Sequence, residues 1–551
     1  MKQREKYRAI AKENDRYALF SAPVVIKLLL IWGIIGFMSC TGKKGSDKKR
    51  DKRPNIIFIM TDDQARRTVS SYENAINRTP NIDRLAEEGS LFLNSFVANS
   101  ICNPSRASIL TGKHSHKNGV VGNASPWNNQ QLLLPRLLQN AGYTTALIGK
   151  WHLNSPPGEE FDYSCRLTGA GKQGFYYNPE FEYGNGKKES PEGHATDLVT
   201  DKALHWLSDN TEKDKDEPFM LFVQYKAPHV PRMPEFRFLD KYTDDTIPEP
   251  ETLFDDYRTR TSSAGEAKMG FHYRPLPLLE DHDPEDNIYY SRMTEEQLRK
   301  WHRYKDPETE EYLEMKEKGG LEGKALQSFE YQKFIKDYLR MIDGVDENVG
   351  RLLDWLDEHP EIRDNTLVVY TSDQGFFTGE HGWAEKRFMY EESLRTPLIM
   401  RWPRYIKPGS EIGEMVQNID FAPTFLDVAG VDIPGEMQGN SFFPLLKGNN
   451  PGKWRNSVYY HYYDHGLHGV ARHDGVRTAR YKLIHFYTDN TWEFYDLQSD
   501  PHETDNRYGD KKYKAVIKGL KKELERLRKD YEVPPAHFRP PYVKAGDEQE
   551  L

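Results

Sequence analysis

The sequence predicts an α/β fold: a large, mostly parallel central sheet flanked by helices, then a smaller antiparallel sheet with a closing helix. Two observations carry this reading. Short, continuous apolar runs rich in Ile, Val and Phe recur along the chain, with helical segments between them. Such runs are strands buried on both faces, and their alternation with helices is the pattern of parallel crossover units. After Trp454 the pattern changes to short aromatic runs separated by turn residues, which reads as antiparallel hairpins.

The elements follow in chain order. Asn55 to Met60 (NIIFIM) is a buried strand that delivers Thr61-Asp62-Asp63-Gln64 from its C-terminal end. Similar strands are expected at Thr144 to Ile148, Phe219 to Tyr225, Thr366 to Tyr370 and Pro397 to Met400. Tyr331 to Leu356 carries apolar residues at helical spacing and stops before Pro360 and the turn Asp364-Asn365-Thr366. Arg232 to Gln327 is rich in Pro, Tyr, Asp and Arg and shows little periodicity before Thr294, so it reads as an insertion over the site. Hairpin strands are expected at Ser457 to Tyr463, around Val470, at Tyr481 to Tyr487 and at Trp492 to Tyr495; Lys511 to Tyr531 is the closing amphipathic helix. In parallel sheets of this kind, ligands bind beyond the carboxyl ends of the strands.

Composition bounds the function. The 551 residues are 37% hydrophobic and 29% charged, a globular balance that excludes a wholly disordered chain. The formal net charge is −9, yet residues 1–53 hold 14 Lys/Arg against five Asp/Glu, so the rest of the chain is strongly acidic. That sign argues against nucleic acid as a partner, and any anion must be held by a local cationic cluster. Leu28 to Phe37 (LLLIWGIIGF) is short for a membrane span of about 20 residues and suits the core of an export signal. Ser39-Cys40 after it resembles a bacterial lipoprotein processing site, with Cys40 as the lipidated residue; an uncleaved anchor is the alternative. Five divisions are expected: a signal or lipoprotein segment at 1–42, a basic tether at 43–53, a catalytic domain at 54–450 with its insertion at 232–327, a C-terminal subdomain at 451–535 and a tail at 536–551. Three cysteines, two of them assigned to chemistry, leave no disulfide framework.

The most specific signal is Cys102-Asn103-Pro104-Ser105-Arg106-Ala107-Ser108-Ile109-Leu110-Thr111-Gly112. It resembles the defining motif of the formylglycine-dependent sulfatases, C-x-P-S-R followed by apolar-Thr-Gly. The likeness spans roughly residues 54–535 and looks most like bacterial glycan sulfatases such as the N-acetylglucosamine-6-O-sulfatases. It implies an alkaline-phosphatase-like fold and conversion of Cys102 to formylglycine by a maturation enzyme. Asp62-Asp63 and Ser372-Asp373-Gln374-Gly375 gather hard oxygen ligands, and adjacent carboxylates repel unless a cation lies between them. The resemblance assigns Asp62, Asp63, Asp373 and Gln374, with the modified Cys102, to calcium.

Three further elements, Gly149-Lys150-Trp151-His152, Lys226-Ala227-Pro228-His229 and Glu380-His381-Gly382-Trp383 leading to Lys386, follow strands in the family's order. The resemblance gives Arg106 to the nucleophile and metal site, and Lys150 and Lys386 to the sulfate oxygens. His229 protonates the leaving alcohol, and His152 takes a proton from the hydrated formylglycine. The expected activity is hydrolysis of sulfate esters on a sulfated polysaccharide, either a glycosaminoglycan or an algal glycan such as ulvan, by an exported periplasmic or outer-membrane lipoprotein of a Gram-negative bacterium. A phosphomonoesterase or phosphonate hydrolase of the same superfamily, and a catalytically dead glycan-binding lipoprotein, are the alternatives. The sugar is expected to meet the insertion and the hairpins carrying His461, His465, His468 and Arg477.

Overall fold

The computed structural model describes residues 52–538, apart from 74, 214–216, 272–287, 318–321, 450–451 and 465–468. The expected leader, Cys40, most of the basic tether and most of the tail lie outside the described residues. Among the described residues, no helix is long and apolar enough to cross a membrane.

Ten strands form one sheet. Its centre is five parallel strands in the order Thr366–Ser372, Asn55–Thr61, Phe219–Gln224, Thr144–Gly149 and Tyr163–Thr168. Antiparallel pairings begin at its margins, with Leu398–Arg401 against Thr366–Ser372 and Glu180–Tyr183 against Tyr163–Thr168. All four strands expected in the sheet before residue 370, and the one at 397–400, are present within one or two residues.

The first strand shows why the runs are continuous. Ile56, Phe58 and Met60 enter one core with Phe222, Leu367 and Val369, covered by Ala107, Ile109 and Leu110 of the helix Cys102–Thr111. Ile57 and Ile59 enter the other with Val223, Val368 and Tyr370, covered by the helices Ala195–Lys213 and Gly323–Glu358. Both faces are buried, so a strand with alternating polar residues could not sit there. The long helix starts before the expected Tyr331, because its first turns lie along the insertion and are less apolar.

The small sheet has four antiparallel strands: Ser457–Tyr462, His473–Thr478, Tyr481–Phe486 and Thr491–Asp496. The second begins at His473 and not around Val470, which is buried ahead of it. One face (Tyr459, Val476, Leu483, Phe494) meets Ile517, Leu520, Leu524 and Leu527 of the helix Lys514–Asp530. The other face (Tyr460, Tyr462, Ile484, Phe486) packs against Trp383, Phe388 and Tyr390. That second contact positions the loop carrying Lys386. The described part of the insertion braces the same loop. Tyr257 stacks on Trp383 at 5.4 Å, Gly270 bridges to Trp383, and Arg260 and Asp255 flank His381. The insertion also contains a helix, Glu295–Glu317.

One glycine decides where a site residue points. Gly149 closes its strand with φ +107°, and a Cβ there would lie 2.0 Å from the Gln224 carbonyl oxygen. The next residue, Lys150, donates its backbone N–H to that same carbonyl at 2.8 Å. Gly142, at φ +84°, has open space around its Cβ position. Gly149→Ala is therefore expected to lower the unfolding free energy by clearly more than the roughly 1–2 kcal/mol of a left-handed alanine alone, which is what Gly142→Ala should cost. Equal losses in chemical denaturation would show that the close approach carries no energy.

Candidate active site

The site forms where the parallel strands end. The register pairs Thr61 with Ser372, so Asp62-Asp63 and Asp373-Gln374 leave the sheet side by side. The Asp373 N–H donates to the Thr61 carbonyl at 3.1 Å, and the Asp63 N–H donates to Asp373 Oδ1 at 3.2 Å. Asp63 turns at φ +66°, which brings its carboxylate back beside that of Asp62. All four side chains are buried. Oxygens of Asp62, Asp63 and Asp373 lie within 4.8 Å of one another, a grouping able to hold a metal ion.

Cys102 is the first residue of its helix, and all ten helix residues are buried. Pro104 fits within the first turn, where its missing N–H costs no helical bond. Gly112 closes the helix in the left-handed conformation. The positive helix end faces the carboxylates. Cys102 Sγ lies 3.4 Å from Asp62 Oδ1, 4.0 Å from Asp63 Oδ1 and 3.6 Å from Gln374 Nε2. Burial pushes the Cys102 thiol up to about 12, with Lys386 opposing the shift. An unconverted Cys102 is therefore a thiol at neutral pH, a poor nucleophile.

Arg106 lies one turn on, over the same face. Its Nε donates to Asp373 Oδ2 at 3.0 Å, and one terminal nitrogen, Nη1, donates both to the Lys150 carbonyl at 3.1 Å and to Gln224 Oε1 at 3.0 Å. Lys150 pairs with Asp62 and donates to Gln173 Oε1 at 2.8 Å. Lys386 grips both Asp63 oxygens at 2.6 and 2.7 Å. His229 Nε2 is 3.8 Å from Asp63 Oδ2, while its Nδ1 is hydrogen-bonded to the Val230 carbonyl at 2.7 Å. That bond places the Nδ1 proton on the carbonyl side and turns Nε2 toward the carboxylates. Burial, then the neighbouring lysines, holds His229 well below the usual histidine range. Burial and Lys150 do the same to His152, whose buried Nδ1 has no hydrogen-bond partner.

The structure thus brings together every catalytic and metal-site residue expected from the sequence. Lys226 and Gln224 also belong to the cluster and were not singled out. Lys226 is buried under the Tyr176 ring, and burial lowers it to about 7 against the pull of Asp63. The Lys226-Ala227-Pro228-His229 element contained that signal. Gln224 offers none, because one strand-end glutamine resembles any other.

The expected sugar wall is corrected. His461 is 1% exposed and built into the C-terminal core. It is hydrogen-bonded with the Tyr459 and Tyr487 hydroxyls at 2.9 and 3.0 Å, and its ring stacks on Tyr463. Arg477 is buried over the Phe96 ring and pairs with Glu391 at 3.0 Å. Both side chains point into the packed faces of the sheet, which alternation along their strands dictates. His465 and His468 lie outside the described residues.

Comparison with known proteins agrees with this geometry. Residues 54–431 match the family model described as sulfatase, and residues 379–530 match N-sulphoglucosamine sulphohydrolase, C-terminal. An N-acetylglucosamine-6-O-sulfatase of Bacteroides thetaiotaomicron is 46% identical over 92% of this chain and 91% of its own length. A solved structure described as a complex with its substrate D-glucosamine-2-N,6-O-disulfate superimposes with a TM-score of 0.83 at 46% identity, over 88% of this chain and 99% of that one. The phosphonate monoester hydrolase of Agrobacterium radiobacter shares the fold, with a TM-score of 0.64 at 21% identity over 87% of this chain and 96% of that one.

Proposed function

The chain belongs to the sulfatase family, whose members hydrolyse sulfate esters, and on that premise we propose that it removes the 6-O-sulfate from glucosamine or N-acetylglucosamine units of a sulfated glycan. Support for the sugar is the 46% identity, maintained over nine-tenths of both chains, to a sulfatase named for that position. Support for the chemistry is the single buried cluster in which a cysteine, three carboxylates, four cations and two histidines converge.

The site fits a divalent cation. Asp62, Asp63 and Asp373 offer hard carboxylate oxygens within reach of one another, and Gln374 Oε1 is buried without a hydrogen-bond partner while its Nε2 faces Asp63 and Cys102. Asp62, Asp63, Asp373 and Gln374 would hold calcium, together with the modified Cys102. When present, formylglycine supplies the nucleophilic hydroxyl and the cation supplies Lewis-acid polarisation. Cys102 is 1% exposed, so the maturation enzyme must reach it before the chain closes. The remaining residues bind and move protons. Lys150 and Lys386, which pair with Asp62 and Asp63 here, would turn their charge to the equatorial sulfate oxygens. Arg106 would fix the Asp373 carboxylate and stabilise the nucleophile. Neutral at rest, His229 would gain a proton as the anionic ester enters and deliver it from Nε2 to the leaving alcohol. The unpartnered Nδ1 of His152 would accept the proton that restores the aldehyde. Export as a lipoprotein through Cys40, to the periplasm or outer membrane, is part of the same reading.

Mass spectrometry of protein made beside a maturation enzyme should show oxygen in place of sulfur at Cys102. Such protein should release sulfate from N-acetylglucosamine-6-O-sulfate at least about 100-fold more efficiently than from ulvan oligosaccharides, a discrimination that one or two polar contacts supply. Preference for ulvan would overturn the sugar assignment, and full turnover by Cys102→Ala the mechanism. The metal is tested separately. Calcium at about 100 times its dissociation constant should raise the unfolding free energy by about 2.7 kcal/mol. A chelator should remove that gain and the activity, and Asp373→Ala should show neither response. Wild-type protein indifferent to calcium would exclude the ligand set.

A further inference from the structure

Beside the sulfate clamp lies a second polar cluster that the mechanism does not use. Arg387 follows Lys386 directly, is 4% exposed, and has φ +106°, a setting that side-chain-bearing residues rarely adopt. Its Nε and one terminal nitrogen are buried without a hydrogen-bond partner. Its other terminal nitrogen lies 4.0 Å from Glu385 Oε1, the oxygen that is also 3.8 Å from Lys386 Nζ. Three further groups face the same space. The Tyr462 hydroxyl and Arg472 Nε are buried and unpartnered, and the charges of Arg387 and Arg472 both act on the Asp464 carboxyl.

The cluster reaches the other wall of the catalytic pocket as well. Asp464 Oδ1 would be 2.4 Å from a Cβ at Gly122, so this carboxylate sits directly against the loop Gly122-Asn123. Asn123 in turn accepts from the Asn103 N–H at 3.3 Å and from Asn103 Nδ2 at 3.0 Å, and Asn103 follows Cys102. Arg387, Arg472 and Asp464 therefore span the gap between the residue after the nucleophile and the residue after the clamp lysine.

A buried guanidinium with two idle donors is costly to hold without a partner oxygen. Four unpartnered donors on three side chains, two of them charged, suit a group that brings several anionic acceptor oxygens and no donors. Asp464 adds one acceptor, fit for a hydroxyl or a nitrogen-bound proton on the same sugar. We infer that Arg387 and Arg472, with the Tyr462 hydroxyl, bind a second anionic group of the glycan next to the scissile sulfate. Two sources carry that chemistry: an N-sulfate on the same glucosamine, and the carboxylate of an adjoining uronic acid. This rests on the 6-O-sulfatase reading and adds to it the residues that select among 6-O-sulfated substrates.

The test uses the converted, calcium-loaded enzyme and three probes: N-acetylglucosamine-6-O-sulfate, N-sulfoglucosamine-6-O-sulfate, and the first of these linked to a uronic acid. Wild-type kcat/KM should be at least about tenfold higher on one of the two doubly anionic probes than on the first, as expected of a charged hydrogen bond. Which probe gains identifies the source. Arg387→Met should collapse that ratio toward one. Arg472→Gln should lower it about threefold or more, and this half-buried position decides the matter should the Arg387 variant not fold. Wild type active on the first probe with no preference for either second anion overturns this inference alone, as does a preference that both variants retain. Wild type inert on all three overturns the functional reading and the inference together.

Discussion

Three carboxylates buried within reach of one another are the constraint around which this molecule is arranged. Asp62, Asp63 and Asp373 are withdrawn from water at adjacent strand ends, and unbalanced charges in such a place would cost several kcal/mol each. The fold answers from four directions. The helix starting at Cys102 turns its positive end inward, and Arg106 one turn later meets Asp373. Lys150 arrives from the end of a strand two places along the sheet to pair with Asp62, and Lys386 arrives on a long loop to hold Asp63. That loop keeps its place because Trp383, Phe388 and Tyr390 are packed by the C-terminal sheet. The second sheet thus acts on the chemistry at a distance, through the burial of its aromatic face.

This arrangement explains how much could be read from the chain. Parallel strands buried on both faces produce unbroken apolar runs, and whatever follows such a run is delivered to one edge of the sheet. Asp62, Asp63, Lys150, His152, His229 and Asp373 each follow a run within a few residues; local reading marked the carboxylates, and the family's order of elements picked out the lysine and the histidines. Cys102 and Arg106 were legible through the resemblance of Cys102-Asn103-Pro104-Ser105-Arg106 to the family's defining motif. Lys386 lies 14 residues past its strand end and was found through resemblance to a family motif, not through periodicity.

The C-terminal residues were illegible for a related reason. His461 and Arg477 look like surface polar groups in aromatic hairpins, because sequence alternation gives two faces and does not say what covers each. Here the helix Lys514–Asp530 covers one face and the loop carrying Lys386 the other, so His461 and Arg477 are held within packed faces. Histidine survives in that interior because both ring nitrogens of His461 find hydroxyls. Tyrosine, abundant in these hairpins, provides rings for packing and hydroxyls for the buried polar groups.

A division of labour follows from where each group is anchored. Strand ends are held by the hydrogen-bonded ladder, so groups placed there keep fixed separations and suit the transfer of one common sulfate. The groups facing the sugar must differ between enzymes that share this chemistry, and loops can change without disturbing the ladder. The chain obeys that logic at adjacent residues. Lys386 turns toward Asp63 and the sheet, whereas Arg387, at positive φ, holds its guanidinium near Glu385, and its charge acts on Tyr462 at the end of the second sheet's first strand and on Asp464 just beyond it. On the proposed reading, one peptide unit at positive φ thereby joins a side chain that would serve every sulfate ester to one that would serve only some of them. The strain is affordable because the residues on either side are pinned, Lys386 by its carboxylate and Phe388 by the aromatic core.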